Sequence, residues 1–222
     1  MISIASFTAI CLAALRLLAV SAVPNVSVVP SYRTDCSIWP NWYNETDGDI
    51  SGSFEFVVDQ ADDPTVDGLL TTFGPNNSSG TSIQTVSISL LKSRRVEQQI
   101  YRCFNGMPYI KIRNFEDATL NGPMRLAENA HNARIVFGAG IKLGAFEHEI
   151  AGIRQPGKFL GANNQTTWSF RYREPRACGE REVYEIRLLG LSQNTNATAV
   201  FSNGDTTEEN QEFTGFIKVV PL

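Results

Sequence analysis

Residues 98–113 read QQIYRCFNGMPYIKIR, and their alternation decides the class of fold. Asn105-Gly106 stands between two runs of strand-forming residues. A two-residue hairpin loop of type I′ needs positive φ at both central positions, which asparagine and glycine tolerate best. Such a loop sets Phe104 opposite Met107, Cys103 opposite Pro108 and Tyr101 opposite Ile110. Successive side chains of a strand point to opposite faces. One face then carries Tyr101, Cys103, Ile110 and Ile112, none of them charged, and is expected to turn inward. The other carries Ile100, Arg102, Phe104, Met107, Tyr109 and Lys111.

The same period of two recurs on both sides of this hairpin, and a period of 3.6 hardly appears. Phe54, Phe56 and Val58 share a face within residues 53–59, and Val86, Ile88 and Leu90 share one within 81–92, opposite Ser and Thr. Residues 165–174 place Trp168, Phe170 and Tyr172 inward and Arg171 and Arg173 outward, where Glu185 is the expected cross-strand partner. Tyr184, Ile186 and Leu188 share a face within 182–191. Residues 197–202 and 213–220 are further strands, with weaker ones at 26–33, 69–73, 134–137 and 146–153. Asp47-Gly48, Asp67-Gly68, Asn121-Gly122 and Asn203-Gly204 punctuate them. About ten short strands so separated predict an all-β domain, a single antiparallel β-sandwich of jelly-roll type or a closed barrel. One short helix is expected at residues 123–133, with Pro123 at its first position and three alanines inside.

Residues 1–22 stand apart from this pattern. Ile2 to Leu15 is apolar or small, Arg16 is the first charge, and the run closes in Val20-Ser21-Ala22, the small-residue exit of a secretory signal peptide. Arg16 leaves about 14 uninterrupted apolar residues, short of the roughly 20 a spanning helix needs. The expected product is a secreted or secretory-lumen domain of residues 23–222 with no membrane span. Six acceptor sequons, at Asn25, Asn44, Asn76, Asn77, Asn164 and Asn196, fit that route. With 16 Asn, and 33 Ser and Thr in 222 residues, chance supplies only two or three such sites. Loss of Arg16 leaves 18 basic against 23 acidic residues, a formal charge of −5. A chain of that balance is a poor ligand for nucleic acid.

Cys36, Cys103 and Cys178 remain after cleavage, an odd number in an oxidising compartment. The hairpin phase buries Cys103, where a free thiol behaves as a small hydrophobe. Cys36 and Cys178 lie in polar, turn-rich segments, so the expected bridge joins those two and leaves Cys103 free.

Catalytic signatures are sparse. With His131 and His148 the sole histidines, a zinc site of several His or Cys ligands is nearly excluded. Gly-x-Ser-x-Gly elbows and glycine-rich phosphate loops do not occur. Glu147-His148-Glu149 is the catalytic candidate: on a strand the two carboxylates lie about 7 Å apart on one face and the imidazole points to the other. Either arrangement suits acid–base work if a cleft encloses it. Acidic residues crowd three loops, Glu45-Asp47-Asp49, Asp59 to Asp67, and Asp205 to Glu209. Such loops can hold calcium, though none has the spaced calcium-loop pattern and no cofactor is expected. Trp39, Trp42 and Tyr43 crowd the segment after Cys36, a stacking platform for a sugar or a flat apolar molecule if exposed together. The expectation is a secreted, N-glycosylated β-scaffold protein that binds a glycan or small organic ligand. The alternative is a secretory-pathway lyase, cyclase or isomerase working through Glu147, His148 or Glu149, with a glycan-cleaving enzyme behind both.

Overall fold

The computed structural model describes residues 23–31, 33–45, 48–73, 85–90, 99–110, 122–127, 133–175, 181–191 and 212–222. In chain order the strands are β1 (Ser27–Val29), β2 (Trp42–Glu45), β3 (Gly48–Ser51), β4 (Phe54–Asp59), β5 (Thr71–Phe73), β6 (Val86–Ser89), β7 (Tyr101–Phe104) and β8 (Met107–Ile110). They continue as β9 (Met124–Leu126), β10 (Ile135–Phe137), β11 (Ile141–Lys142), β12 (Gly144–Ile150), β13 (Ile153–Arg154) and β14 (Lys158–Gly161). The last three are β15 (Trp168–Arg173), β16 (Val183–Leu188) and β17 (Glu212–Pro221). One 3₁₀ turn among the described residues, Cys36–Ile38, is capped by the Asp35 side chain. Every pairing among the described residues is antiparallel.

Hydrogen bonding runs in the order β2-β3-β7-β4-β17-β15-β16-β6-β5, with β12, β14, β1, β13 and β8 as branches and β10-β9-β11 as a separate sheet. The architecture is a single-domain β-sandwich and not the closed barrel that the same strand spacing allowed. The ten-residue β17 joins the layers. Its first residues pair with β15, and further along β4 and β14 flank it on opposite edges. A strand shared in this way turns the sheet back on itself without closing it.

The Asn105-Gly106 hairpin forms in the expected register, Phe104 opposite Met107 and Tyr101 opposite Ile110. Asn105 and Gly106 take φ of 49° and 72°, the positive values the turn demands. Tyr101, Cys103 and Ile110 are buried, and Arg102 and Phe104 are exposed. Trp39 stacks on Phe54 with centroids 5.1 Å apart, and Tyr101 lies 4.4 Å from Phe56. Trp168, Phe170, Ile186 and Leu188 extend the same core, as alternation predicts.

Two expectations fail. The bridge is Cys36–Cys103, not Cys36–Cys178, so Cys103 is not the free thiol. Its inward face was read correctly, but burial and bonding are compatible: the 3₁₀ turn carries Cys36 into the core beside it. Cys178 lies outside the described residues. The short helix at 123–133 is absent over its first turn, where Met124–Leu126 is a strand between β10 and β11. Buried Met124 and Leu126 flank Arg125 with period two, and pairing on both edges outweighs the weak propensity of a few alanines. β6 carries Val86 and Ile88 on one face and Ser87 and Ser89 on the other, as alternation predicts, and both faces are enclosed. The expected strand at 197–202 lies outside the described residues.

Candidate functional site

β12 carries the Glu147-His148-Glu149 group, and the strand divides it as alternation requires. His148 is fully buried. Its ring stacks on Phe159 with centroids 3.8 Å apart and planes 4° from parallel, and meets Phe216 edge-on at 4.6 Å. Phe159 and Phe216 lie outside the main core cluster and form a second, smaller aromatic nucleus with the imidazole. Nε2 lies 2.8 Å from Thr166 Oγ1, and Nδ1 is buried without a partner. We assign the proton to Nε2, donating to Thr166, because the other tautomer leaves a buried N–H unsatisfied. Desolvation lowers the imidazole pKa to about 4, so the ring is neutral at physiological pH.

Glu147 and Glu149 face the other way. Glu147 accepts from Arg154 at 2.9 Å and from Lys158 at 2.5 Å, and Glu149 lies 3.5 Å from Arg154. The Lys158 hydrogen bond and its charge, with Arg154 behind, hold the Glu147 pKa below the usual carboxylate value. Both glutamates are thus partners of cations on the neighbouring hairpin strands, and the sealed imidazole opens to neither solvent nor carboxylate.

The aromatic trio is also divided. Trp39 is buried in the core. Trp42 and Tyr43 are neighbours on β2 and therefore point to opposite faces. Trp42 donates from Nε1 to Asp49 Oδ1 at 3.3 Å, on the face of the 3₁₀ turn, where both Asp49 oxygens also accept from the Cys36 amide at 2.8 Å. Tyr43 stands on the outer face, with companions that sequence reasoning did not collect. It is opposite Ile50, Ile50 is opposite Phe104, and Phe104 is opposite Met107. Directly opposed residues share a face, so Tyr43-Ile50-Phe104-Met107 is one row across β2, β3, β7 and β8.

Tyr43 is 42% and Phe104 39% exposed, among the most exposed large hydrophobic residues described. Tyr109 meets Phe104 edge-on at 6.0 Å, and exposed Arg102 stands opposite Tyr109. Gly48 adjoins the row with φ of 146°; a Cβ there would stand 3.8 Å from Ile50 and 4.0 Å from a Phe104 ring carbon. Its missing side chain leaves a notch beside the Phe104 ring. The outward hairpin residues Arg102, Phe104, Met107 and Tyr109 were legible as a face; their continuation onto Ile50 and Tyr43 needed the β3–β7 pairing.

Carboxylates of the acidic loop at Asp59 to Asp67 are engaged in holding turns. Asp62 accepts from the Thr214 amide and hydroxyl, Asp63 from those of Thr65, and Asp67 from the Ala61 amide. Among the described residues no three His, Cys, Asp or Glu gather as metal ligands. Glu185 is bound by Arg173 at 2.8 Å, as expected, and also by Arg134 at 2.6 Å. Of the sequon asparagines, Asn25 and Asn164 are exposed, and Asn76, Asn77 and Asn196 lie outside the described residues together with His131 and the acidic group at 205–209. Asn44 pairs with Asp49 on β2. No helix among the described residues is long and apolar enough to cross a membrane. In comparisons with known proteins, the chain matches no family model and no curated sequence.

The class that fold and bonding define is therefore a disulfide-bonded, antiparallel all-β sandwich.

Proposed function

We propose that this protein is a secreted, N-glycosylated binding protein that takes a glycan or small organic ligand on the outer aromatic row Tyr43-Ile50-Phe104-Met107. The observation that carries this reading is one registered line across four strands in which two exposed aromatic rings, Tyr43 and Phe104, alternate with half-buried Ile50 and Met107. Exposed rings fixed by a sheet offer stacking surfaces at little entropic cost. Arg102 supplies donors at the border of the row. Support for export comes from the apolar segment at 2–15, the Val-Ser-Ala exit, the excess of sequons and the disulfide.

No particular observation favours the lyase, cyclase or isomerase reading. Its imidazole is enclosed by Phe159, Phe216 and Thr166, and its carboxylates are ion-paired.

The test is to purify the protein from culture medium, identify copurifying molecules by mass spectrometry, and screen it on a glycan panel. A ligand is expected whose binding Phe104→Ala and Tyr43→Ala each weaken about tenfold. A ligand retained at full affinity by both variants would move the site elsewhere.

A further inference from the structure

Two of the acceptor sequons are described over all three of their residues, Asn25-Val26-Ser27 and Asn164-Gln165-Thr166. Their surroundings differ. In the first, Asn25 and Ser27 are both exposed, and Ser27 opens β1 opposite Glu149. The side-chain amide that takes the glycan and the third-residue hydroxyl that completes the motif both face water there.

The second sequon is divided by the fold. Asn163 and Asn164 are the central residues of a tight turn, with φ of 50° and 61°. Ala162 and Gln165 close it with reciprocal backbone hydrogen bonds of 3.0 and 2.9 Å. Positive φ at two successive positions suits asparagine and sets Asn164 at the exposed tip. Two residues on, Thr166 is 1% exposed, and its Oγ1 lies 2.8 Å from His148 Nε2. Gln165 is held between them: a Cβ on Gly190 would stand 2.6 Å from its Oε1. The Thr167 carbonyl accepts from the Leu189 amide at 2.9 Å and fixes the next residue. The folded chain thus presents the Asn164 amide and withholds the Thr166 hydroxyl.

Resting on the export and N-glycosylation argued above, we propose that Asn164 is glycosylated only while the chain is unfolded, and that folding closes the site by moving the Thr166 hydroxyl from the transferase to His148. In the transfer, Asn164 Nδ2 attacks the anomeric carbon of an oligosaccharide carried on a polyprenyl diphosphate. The N–C bond forms and the bond from that carbon to the diphosphate oxygen breaks. The diphosphate leaves with the electron pair, and one amide proton passes to a base of the transferase. The glycan then stays at the turn tip, while Thr166 folds inward and accepts from His148. Asn25 follows no such order, because its motif is open before and after folding.

The experiment compares the two sites on the full chain. Protein secreted from eukaryotic cells is mapped for occupancy by deglycosylation in heavy-oxygen water and mass spectrometry. Unglycosylated chain is collected from cells in which synthesis of the lipid-linked donor is blocked, and its cooperative thermal unfolding is checked. Folded, or reduced and diluted from urea, it is offered to purified oligosaccharyltransferase with the lipid-linked donor. If the unglycosylated chain does not fold, protein from a partial block takes its place, folded with other glycans and with Asn164 empty in a fraction of molecules. Cell-made protein is expected to carry glycan at both sites. In vitro, Asn25 should react at similar rates in the two forms, and Asn164 about tenfold or more slowly in the folded one, since its hydroxyl must first be unburied. Equal rates at Asn164 in the two forms overturn the proposal. Suppression at Asn25 as large as at Asn164 overturns the role of Thr166, since folding then blocks the enzyme wherever the sequon lies. Asn164 empty in cell-made protein whose other sequons are filled overturns the site and leaves N-glycosylation standing. A product with no sequon filled removes the N-glycosylation reading itself.

Discussion

Acid should destabilise this protein through one buried ring, and the size of the effect follows from its surroundings. Unfolded, His148 titrates at its ordinary value of 6.5; folded, burial against Phe159 and Phe216 lowers it to about 4. The unfolded chain therefore takes up a proton first as pH falls. Stability is full above pH 6.5, declines by about 1.4 kcal/mol per pH unit below it, and levels off once the folded ring also titrates near pH 4. Between pH 7.5 and 5 the loss integrates to about 2 kcal/mol. Glu147, with its pKa held below 4.5, loses its contribution only at more acid pH, and Asp59, raised by desolvation, acts in the opposite sense there.

Urea unfolding followed by the fluorescence of buried Trp39 and Trp168 is the assay, at pH 7.5 and pH 5. With an m value of about 2–3 kcal/mol/M, the midpoint should fall by about 1 M. His148→Phe keeps the stack and removes the titration. Its Thr166 hydroxyl loses a partner at a cost of about 1–2 kcal/mol that does not depend on pH. The difference between the two pH values should then shrink in the variant by about 2 kcal/mol. Equal pH dependence in the two proteins would refute the assignment of His148 as a buried neutral ring.

Non-reducing peptide mapping should recover a Cys36–Cys103 cross-link, and replacing both by Ala should cost about 4 kcal/mol for a loop of this length; a Cys36–Cys178 peptide would contradict it. Glu147→Gln and Glu149→Gln should each change stability by about 1 kcal/mol or less, read by the same urea curves, because their ion pairs lie at the surface and remain partly open to solvent. Phe170→Ala, which empties a fully buried ring site, should cost about 3–5 kcal/mol in the same assay. The secreted protein should begin at or near Val23 and lose mass in steps on enzymatic deglycosylation; a product that retains Met1 and carries no glycan would refute export.

Local chemistry settled what depends on adjacent residues. The Asn105-Gly106 turn, the phase of its two strands and the inward faces of Phe54, Phe56, Trp168 and Phe170 follow from a period of two and a turn that few residues can make. The opposite facing of His148 and its glutamates follows in the same way. Tertiary structure decided what depends on residues far apart in the chain. The partner of Cys103 is the cysteine 67 positions away, because the 3₁₀ turn at Cys36–Ile38 packs against β2, β3 and β12 and carries Cys36 into the core beside Cys103. Nothing in the spacing of three cysteines encodes that contact. Met124–Leu126 became a strand because β10 and β11 offered it two edges, an interaction worth more than local helix preference. The outer row came together in the same way: Tyr43, Ile50 and Phe104 are separate in sequence, and only the hydrogen-bonded register of β2, β3 and β7 aligns them on one face.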